Sequence, residues 1–228
     1  DRVVMAMWDG RTPRILFGLG APGAGEYGLL DTPEGPALAR GRKTLLPVSR
    51  LRLRGRHNYA NALAALAMIE ALGLEPRHCL EALASFAGLP HRAEWVAERG
   101  GVQYINDSKG TNVGAAVAAI SGMDQPVVLI AGGDGKGADF APLVAAARER
   151  VRAAVLLGRD APLLEAALSG ACATVRVADI EAAVAEAARL AQAGDCVLLS
   201  PACASTDMYS DYRERGQRFA AAAQGLSA

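Results

Sequence analysis

The chain has 228 residues, 51% of them hydrophobic and 21% charged, which is enough apolar side chain for a buried core and excludes the disordered and fibrous classes. At roughly 150 residues per domain, the length holds one large domain or two small ones. Lysine plus arginine number 24, as do aspartate plus glutamate, so no overall basic field exists to hold a polyanion by counterion release, and nucleic acid is excluded as a partner.

The first 50 residues give short apolar runs broken by Gly and Pro, at residues 14–18, 27–30 and 43–48. These predict strands of a small sheet joined by turns. Residues 58–72 carry Ala, Leu, Met and Ile at a helical period, with Asn58 as N-cap and Gly73 at the C-cap. A second helix is predicted over 76–86, opened by Pro76 and closed by Gly88-Leu89-Pro90, where a domain boundary is placed. Beyond it the rhythm becomes strand, loop, helix. Strands are predicted at 94–98, 102–105, 127–131, 153–157, 173–177 and 196–199, and Ala-rich helices at 114–120, 140–150, 162–168, 180–192 and 212–223. Such alternation predicts an α/β domain with a doubly wound, mainly parallel sheet, its first strands forming an antiparallel edge.

No apolar run approaches the ~18 residues that cross a bilayer, so no membrane insertion is expected. Cys79, Cys172, Cys196 and Cys203 form no C-x-x-C pair and have no His at ligand spacing; they read as reduced thiols of a cytoplasmic protein. The sequence opens at Asp1 in mid-pattern, and the chain is read as a piece of a longer protein.

Ligands of an open α/β sheet lie beyond the carboxyl ends of its strands. Three polar loops fall there: Asn106-Asp107-Ser108-Lys109-Gly110-Thr111-Asn112, Gly132-Gly133-Asp134-Gly135-Lys136-Gly137-Ala138-Asp139-Phe140, and Ser200-Pro201-Ala202-Cys203-Ala204-Ser205-Thr206-Asp207. Two carry a lysine among glycines, a setting suited to carboxylates or phosphates. His91 and Arg92 follow the predicted boundary, where a side chain can serve a cleft. Two look-alikes fail. Gly18-Leu19-Gly20-Ala21-Pro22-Gly23 opens no predicted helix, and Gly135-Lys136 lacks both the first glycine and the Ser/Thr of a phosphate-binding P-loop.

Together with Gly55-Arg56-His57-Asn58-Tyr59-Ala60-Asn61 and Gly88-Leu89-Pro90-His91-Arg92-Ala93-Glu94, these blocks run in order from about residue 51 to the end. In that order they resemble the Mur ligase family, and within it the branch that adds D-glutamate. The resemblance implies that residues 1–88 are the C-terminal part of the family's central ATPase-type domain and 89–228 its C-terminal Rossmann-like domain. It implies ATP-dependent amide formation through an acyl phosphate, in peptidoglycan precursor synthesis, with UDP-N-acetylmuramoyl-L-alanine, D-glutamate and ATP as partners and the protein acting as a monomer. Asn61 and Arg92 would contact ATP, Asp107 its ribose, and Lys109 the transferred phosphate as the catalytic residue. Thr111, Lys136, Ser205 and Tyr212 would hold D-glutamate, with His91 and Asn112 as further candidates. Mg²⁺ would accompany ATP, its ligands and the P-loop lying outside this chain, which is therefore expected to be inactive alone. The competing reading is a non-catalytic nucleotide- or amino-acid-binding α/β module, or another Mur-type ligase.

Overall fold

Glycine and proline cut the first 50 residues into short segments that can pair only through tight turns. The computed structural model, which describes residues 2–53 and 55–226 apart from the side chains of Arg2, Val4 and His57, shows a short helix α1 (Arg2–Ala6) and then three strands: β1 (Tyr27–Thr32), β2 (Gly35–Arg40) and β3 (Lys43–Pro47). They pair antiparallel in the order β1-β2-β3. The expected strand over residues 14–18 does not form. Phe17 makes only an isolated bridge to Tyr27, because the glycines and prolines that follow turn the chain away before a ladder can extend. β2 is instead a strand that the pattern hid, its Gly-Pro-Ala-Leu-Ala composition having little β-branched content.

The long helix α2 (Arg56–Ala71) begins earlier than expected, with Gly55 as N-cap. The Asn58 amide already bonds back to the Gly55 carbonyl, so Asn58 is inside the first turn and is not the cap. Ala62, Leu63, Leu66 and Ala67 line one face of α2 and close over Tyr27, Leu38 and Leu46. The expected second helix divides into a 3₁₀ turn (Pro76–Cys79) and α3 (Leu80–Ser85).

Chain contacts divide the molecule after Ala87. In the second unit come β4 (Glu94–Arg99), β5 (Val102–Asn106), α4 (Val113–Ser121), β6 (Val127–Gly132), α5 (Ala141–Arg150) and β7 (Val151–Leu157). α6 (Ala161–Leu168), β8 (Ala173–Arg176), α7 (Ile180–Leu190), β9 (Cys196–Leu199) and α8 (Tyr212–Gly225) complete it. The sheet order is β4-β5-β9-β6-β7-β8; β4 runs antiparallel to β5 and all other neighbours are parallel. β6 is buried on both faces. Val127, Leu129 and Ala131 meet Ile120, Leu143 and Leu164 on one side, while Val128 and Ile130 meet Val184, Phe219 and Ala223 on the other. Alternation of side chains along a strand, with helices over both faces, gives three layers. No helix among the described residues is long and apolar enough to cross a membrane.

Candidate functional site

The last strand in sequence, β9, is inserted between β5 and β6. This places the loops after β5, β9 and β6 side by side at one edge, and because β4 is reversed, its leading segment with His91 and Arg92 arrives at the same edge. Backbone bonds tie the loops together. The Ala202 amide donates to the Gly110 carbonyl (3.0 Å), Gly132 to Pro201 (2.9 Å), and Asp134 and Ala204 exchange both their bonds at 3.0 and 2.8 Å. A Cβ on Gly133 would sit 2.0 Å from the Ala204 carbonyl oxygen, so only glycine permits this approach. Among the described residues, the four non-glycine positions with left-handed backbone are His91, Ala93, Lys136 and Ala202. All four belong to this edge, and backbone held there against its preference is a mark of functional loops.

In the loop after β5, the Asp107 carboxylate accepts from the Ser200 hydroxyl (2.7 Å) and from the Ala93 amide (3.3 Å). Burial raises its pKa above the ordinary aspartate value, opposed by those two donors and by the charge of Arg92. Arg92 is itself exposed. Lys109 is half-buried, its amide donating to the His91 carbonyl (3.0 Å) and its ammonium lying 4.2 Å from the centre of the Tyr212 ring. Tyr212 opens α8, and its carbonyl accepts the Ser108 hydroxyl (2.8 Å). The His91 ring stands edge-on to Tyr212 at 6.0 Å, with Nδ1 2.9 Å from the Asn106 amide nitrogen. That close packing depends on Gly216, where a Cβ would fall 2.4 Å from His91 Nδ1. Thr111, bonded through its amide to the Lys109 carbonyl (2.8 Å), follows the Gly110 tie. Asn112 caps α4, its side chain accepting from the Ala115 amide, which gives it a structural task.

In the loop after β6, Lys136 is exposed with φ 54°. Two aspartates frame it: Asp134 accepts from the Lys136 amide (2.9 Å) and Asp160 from the Gly135 amide (2.7 Å). Ser205 is buried beside Ala204. Lys136 and Ser205 thus flank the Asp134–Ala204 pairing on its two strands, while Lys109, His91 and Tyr212 form a separate group. Asn61 lies on the exposed face of α2 in the first unit.

Sequence reasoning missed Arg215. Its guanidinium is 1% exposed and reaches the Ser108 hydroxyl and carbonyl at 3.0 and 2.9 Å, the Cys203 carbonyl at 3.3 Å and the Gly132 carbonyl at 3.4 Å. The signal was present in the spacing, since Arg215, Phe219 and Ala223 fall on one buried stripe of α8, an inward position for a charge.

Comparison with known proteins gives the family. Residues 91–203 match the family described as Mur ligase, glutamate ligase domain. The chain belongs to the Mur ligase family. It is 52% identical over its whole length to the UDP-N-acetylmuramoylalanine--D-glutamate ligase of Methylococcus capsulatus, covering 50% of that protein. With the corresponding ligase of Nitrosococcus oceani it shares 55% identity over 96% of the chain and 49% of the relative. The chain therefore spans about half the length of the curated relatives it matches. In fold it is similar to the UDP-N-acetylmuramate-alanine ligase of Thermotoga maritima (TM-score 0.58, 18% identity, 87% of this chain and 46% of that one). It is likewise similar to a bifunctional folylpolyglutamate synthase/dihydrofolate synthase of Yersinia pestis, complexed with AMPPNP and Mn ion (TM-score 0.59, 23% identity, 86% and 45%).

Proposed function

We propose that this chain is the downstream part of an ATP-dependent ligase that joins D-glutamate to UDP-N-acetylmuramoyl-L-alanine, with residues 1–88 completing a central ATPase-type domain and 89–228 forming the C-terminal domain. The observation that carries the reading is the tied edge of β5, β9 and β6, which gathers two lysines, a buried serine and the aspartate Asp107, in a family whose relatives at 52 to 55% identity are ligases of that name.

In the proposed reaction an oxygen of the substrate carboxylate attacks the γ-phosphorus of ATP, the bond to ADP breaks, and an acyl phosphate forms. The D-glutamate amine then attacks the acyl carbon, loses a proton, and the tetrahedral intermediate expels phosphate to leave the amide. Lys109, held over the Tyr212 face, neutralises charge on the transferred phosphoryl oxygens. Asp107, fixed by Ser200 and Ala93, accepts the ribose hydroxyls, and Arg92 contacts ATP; Asn61 is assigned to ATP by resemblance. Thr111, Lys136, Ser205 and Tyr212 receive the amino acid, whose two carboxylates require cations with hydroxyl donors nearby. By resemblance, Mg²⁺ accompanies ATP with its ligands upstream of this chain; among the described residues no group of three or more His, Cys, Asp or Glu side chains could hold a metal ion.

The test is phosphate release by the complete ligase with UDP-N-acetylmuramoyl-L-alanine and ATP present. Release that depends on D-glutamate, and is not restored by L-glutamate or L-lysine, is the expected result; indifference to the amino acid would overturn the reading. The 228-residue chain alone, which contains no G-x-x-x-x-G-K-[ST] loop, is expected to release no phosphate above a protein-free blank.

A further inference from the structure

We infer that Arg215 is a positioning residue that fixes the register of all three ligand-facing loops at once, an inference that rests on the ligase reading above. A charge taken out of water is retained only where polar partners replace the solvent. Arg215 has no carboxylate within ion-pair distance among the described residues; its partners are carbonyls and one hydroxyl. They come from three places. Ser108 lies between Asp107 and Lys109, Gly132 begins the loop of Lys136, and Cys203 stands two residues before Ser205. Each acceptor therefore lies in a segment that carries a residue assigned to a ligand.

The planar fork of a guanidinium carries donors on three nitrogens and can reach acceptors on separate elements at once, whereas a lysine ammonium presents its donors from a single nitrogen. Burial pushes the Arg215 guanidinium down to about 10, so at neutral pH it remains a cation beneath loops proposed to receive a dicarboxylate. The loops are bonded to each other by the backbone pairs at Ala202–Gly110, Gly132–Pro201 and Asp134–Ala204 and by the Ser200 hydroxyl on Asp107, and among the described residues Arg215 is the side chain that touches carbonyls of all three.

The experiment compares wild type with Arg215→Lys in the complete ligase, varying D-glutamate and ATP in turn and following amide hydrogen exchange and thermal melting on the same samples. KM for D-glutamate is expected to rise about tenfold or more, equivalent to the loss of one charge-assisted bond, and KM for ATP is expected to rise with it, because the Ser108 contacts lie between Asp107 and Lys109. Exchange protection should fall together at the amides of Ala202, Asp134 and Ala204 while the Val177 amide, bonded to the Leu156 carbonyl across β7 and β8, keeps its own. Protection retained at the three loop amides, or lost evenly across the sheet with KM unchanged, overturns the inference. Should Arg215→Lys fail to fold, Ser108→Ala removes the hydroxyl that accepts from Arg215, together with its bond to the Tyr212 carbonyl, and a smaller rise in the same KM values with loosened amides at Asp134 and Ala204 is expected; no change in either overturns it. If wild type shows no D-glutamate dependence, the ligase reading fails by itself, and the exchange pattern still decides whether Arg215 sets the loops.

Discussion

The loop after β5 and the loop after β6 each offer a lysine in a glycine-rich setting, yet the protein treats them differently. Lys109 is half-buried, lies on an aromatic face, and belongs to a loop gripped by Arg215, Ser200 and the start of α8. Lys136 stands in an exposed stretch, 136–139, beyond the point where Arg215, Pro201 and Ala204 hold the start of its loop, with aspartate oxygens accepting the Gly135 and Lys136 amides. Composition alone made the loops look alike; what separates them is how many outside elements each is bonded to. A lysine held rigidly suits charge that develops during a reaction, because it needs no rearrangement at that moment. A lysine on an exposed turn suits the capture of a ready-formed anion.

The strongest way to break this contrast is Lys109→Met in the complete ligase. Loss of a pre-positioned cation at developing charge is expected to lower kcat by about two to three orders of magnitude with little change in KM for D-glutamate; a kcat near wild type would remove Lys109 from the chemistry. Lys136→Ala should do the reverse, raising KM for D-glutamate about ten- to a hundredfold through loss of one charge-assisted contact. Its thermal melt should stay put, since an exposed loop substitution typically costs under about 0.5 kcal/mol, and Lys136→Arg should restore little because its planar fork differs from a point charge.

Ser200→Ala sharpens the picture through pH. Burial already raises the Asp107 pKa, and the Ser200 hydroxyl counteracts this by stabilising the carboxylate. In the proposed role the charged form is the one that accepts ribose hydroxyls. Removing the donor raises the pKa further, so the acid limb of kcat/KM for ATP should move to higher pH by about one unit, the equivalent of one hydrogen bond to a charged group; a limb that stays, or moves down, contradicts the assignment. The smallest effect is expected for Tyr212→Leu, which deletes the ring beneath Lys109 and should cost a few-fold in kcat, in line with about 0.5 to 2 kcal/mol for a cation over an aromatic face. Tyr212→Phe should be close to wild type if the ring face is what matters.

Much of the second unit was legible because its periods are unambiguous: the unbroken Val127–Ala131 run can only be a doubly covered strand, and Ile180 to Leu190 shows an amphipathic stripe. What could not be read was strand order. Nothing local in Cys196–Leu199 says that it pairs with both β5 and β6, and that insertion is what makes neighbours of the lysine loops. In the first unit, residues 14–18 looked as strand-like as β2 looked unlike one, since pairing there is decided by where glycine and proline let the chain turn. Arg215 was hidden for a related reason: a basic residue in a charged helix start reads as solvated until its place on the Phe219–Ala223 stripe is noticed. Asn58, expected as a cap, lies inside a helix, while Asn112, which no local signal marked as a cap, caps α4.

The reversed strand β4 has a consequence for how such a domain can be exchanged between proteins. Its leading residues, with two left-handed positions at His91 and Ala93 and the His91–Asn106 contact, are at once the way into the domain and one wall of its working edge. A recombination joint placed at the first strand would leave that wall behind with the donor. A transplant that keeps this edge intact must cut upstream of Gly88, so that the peptide which begins the domain travels with the loops it packs against.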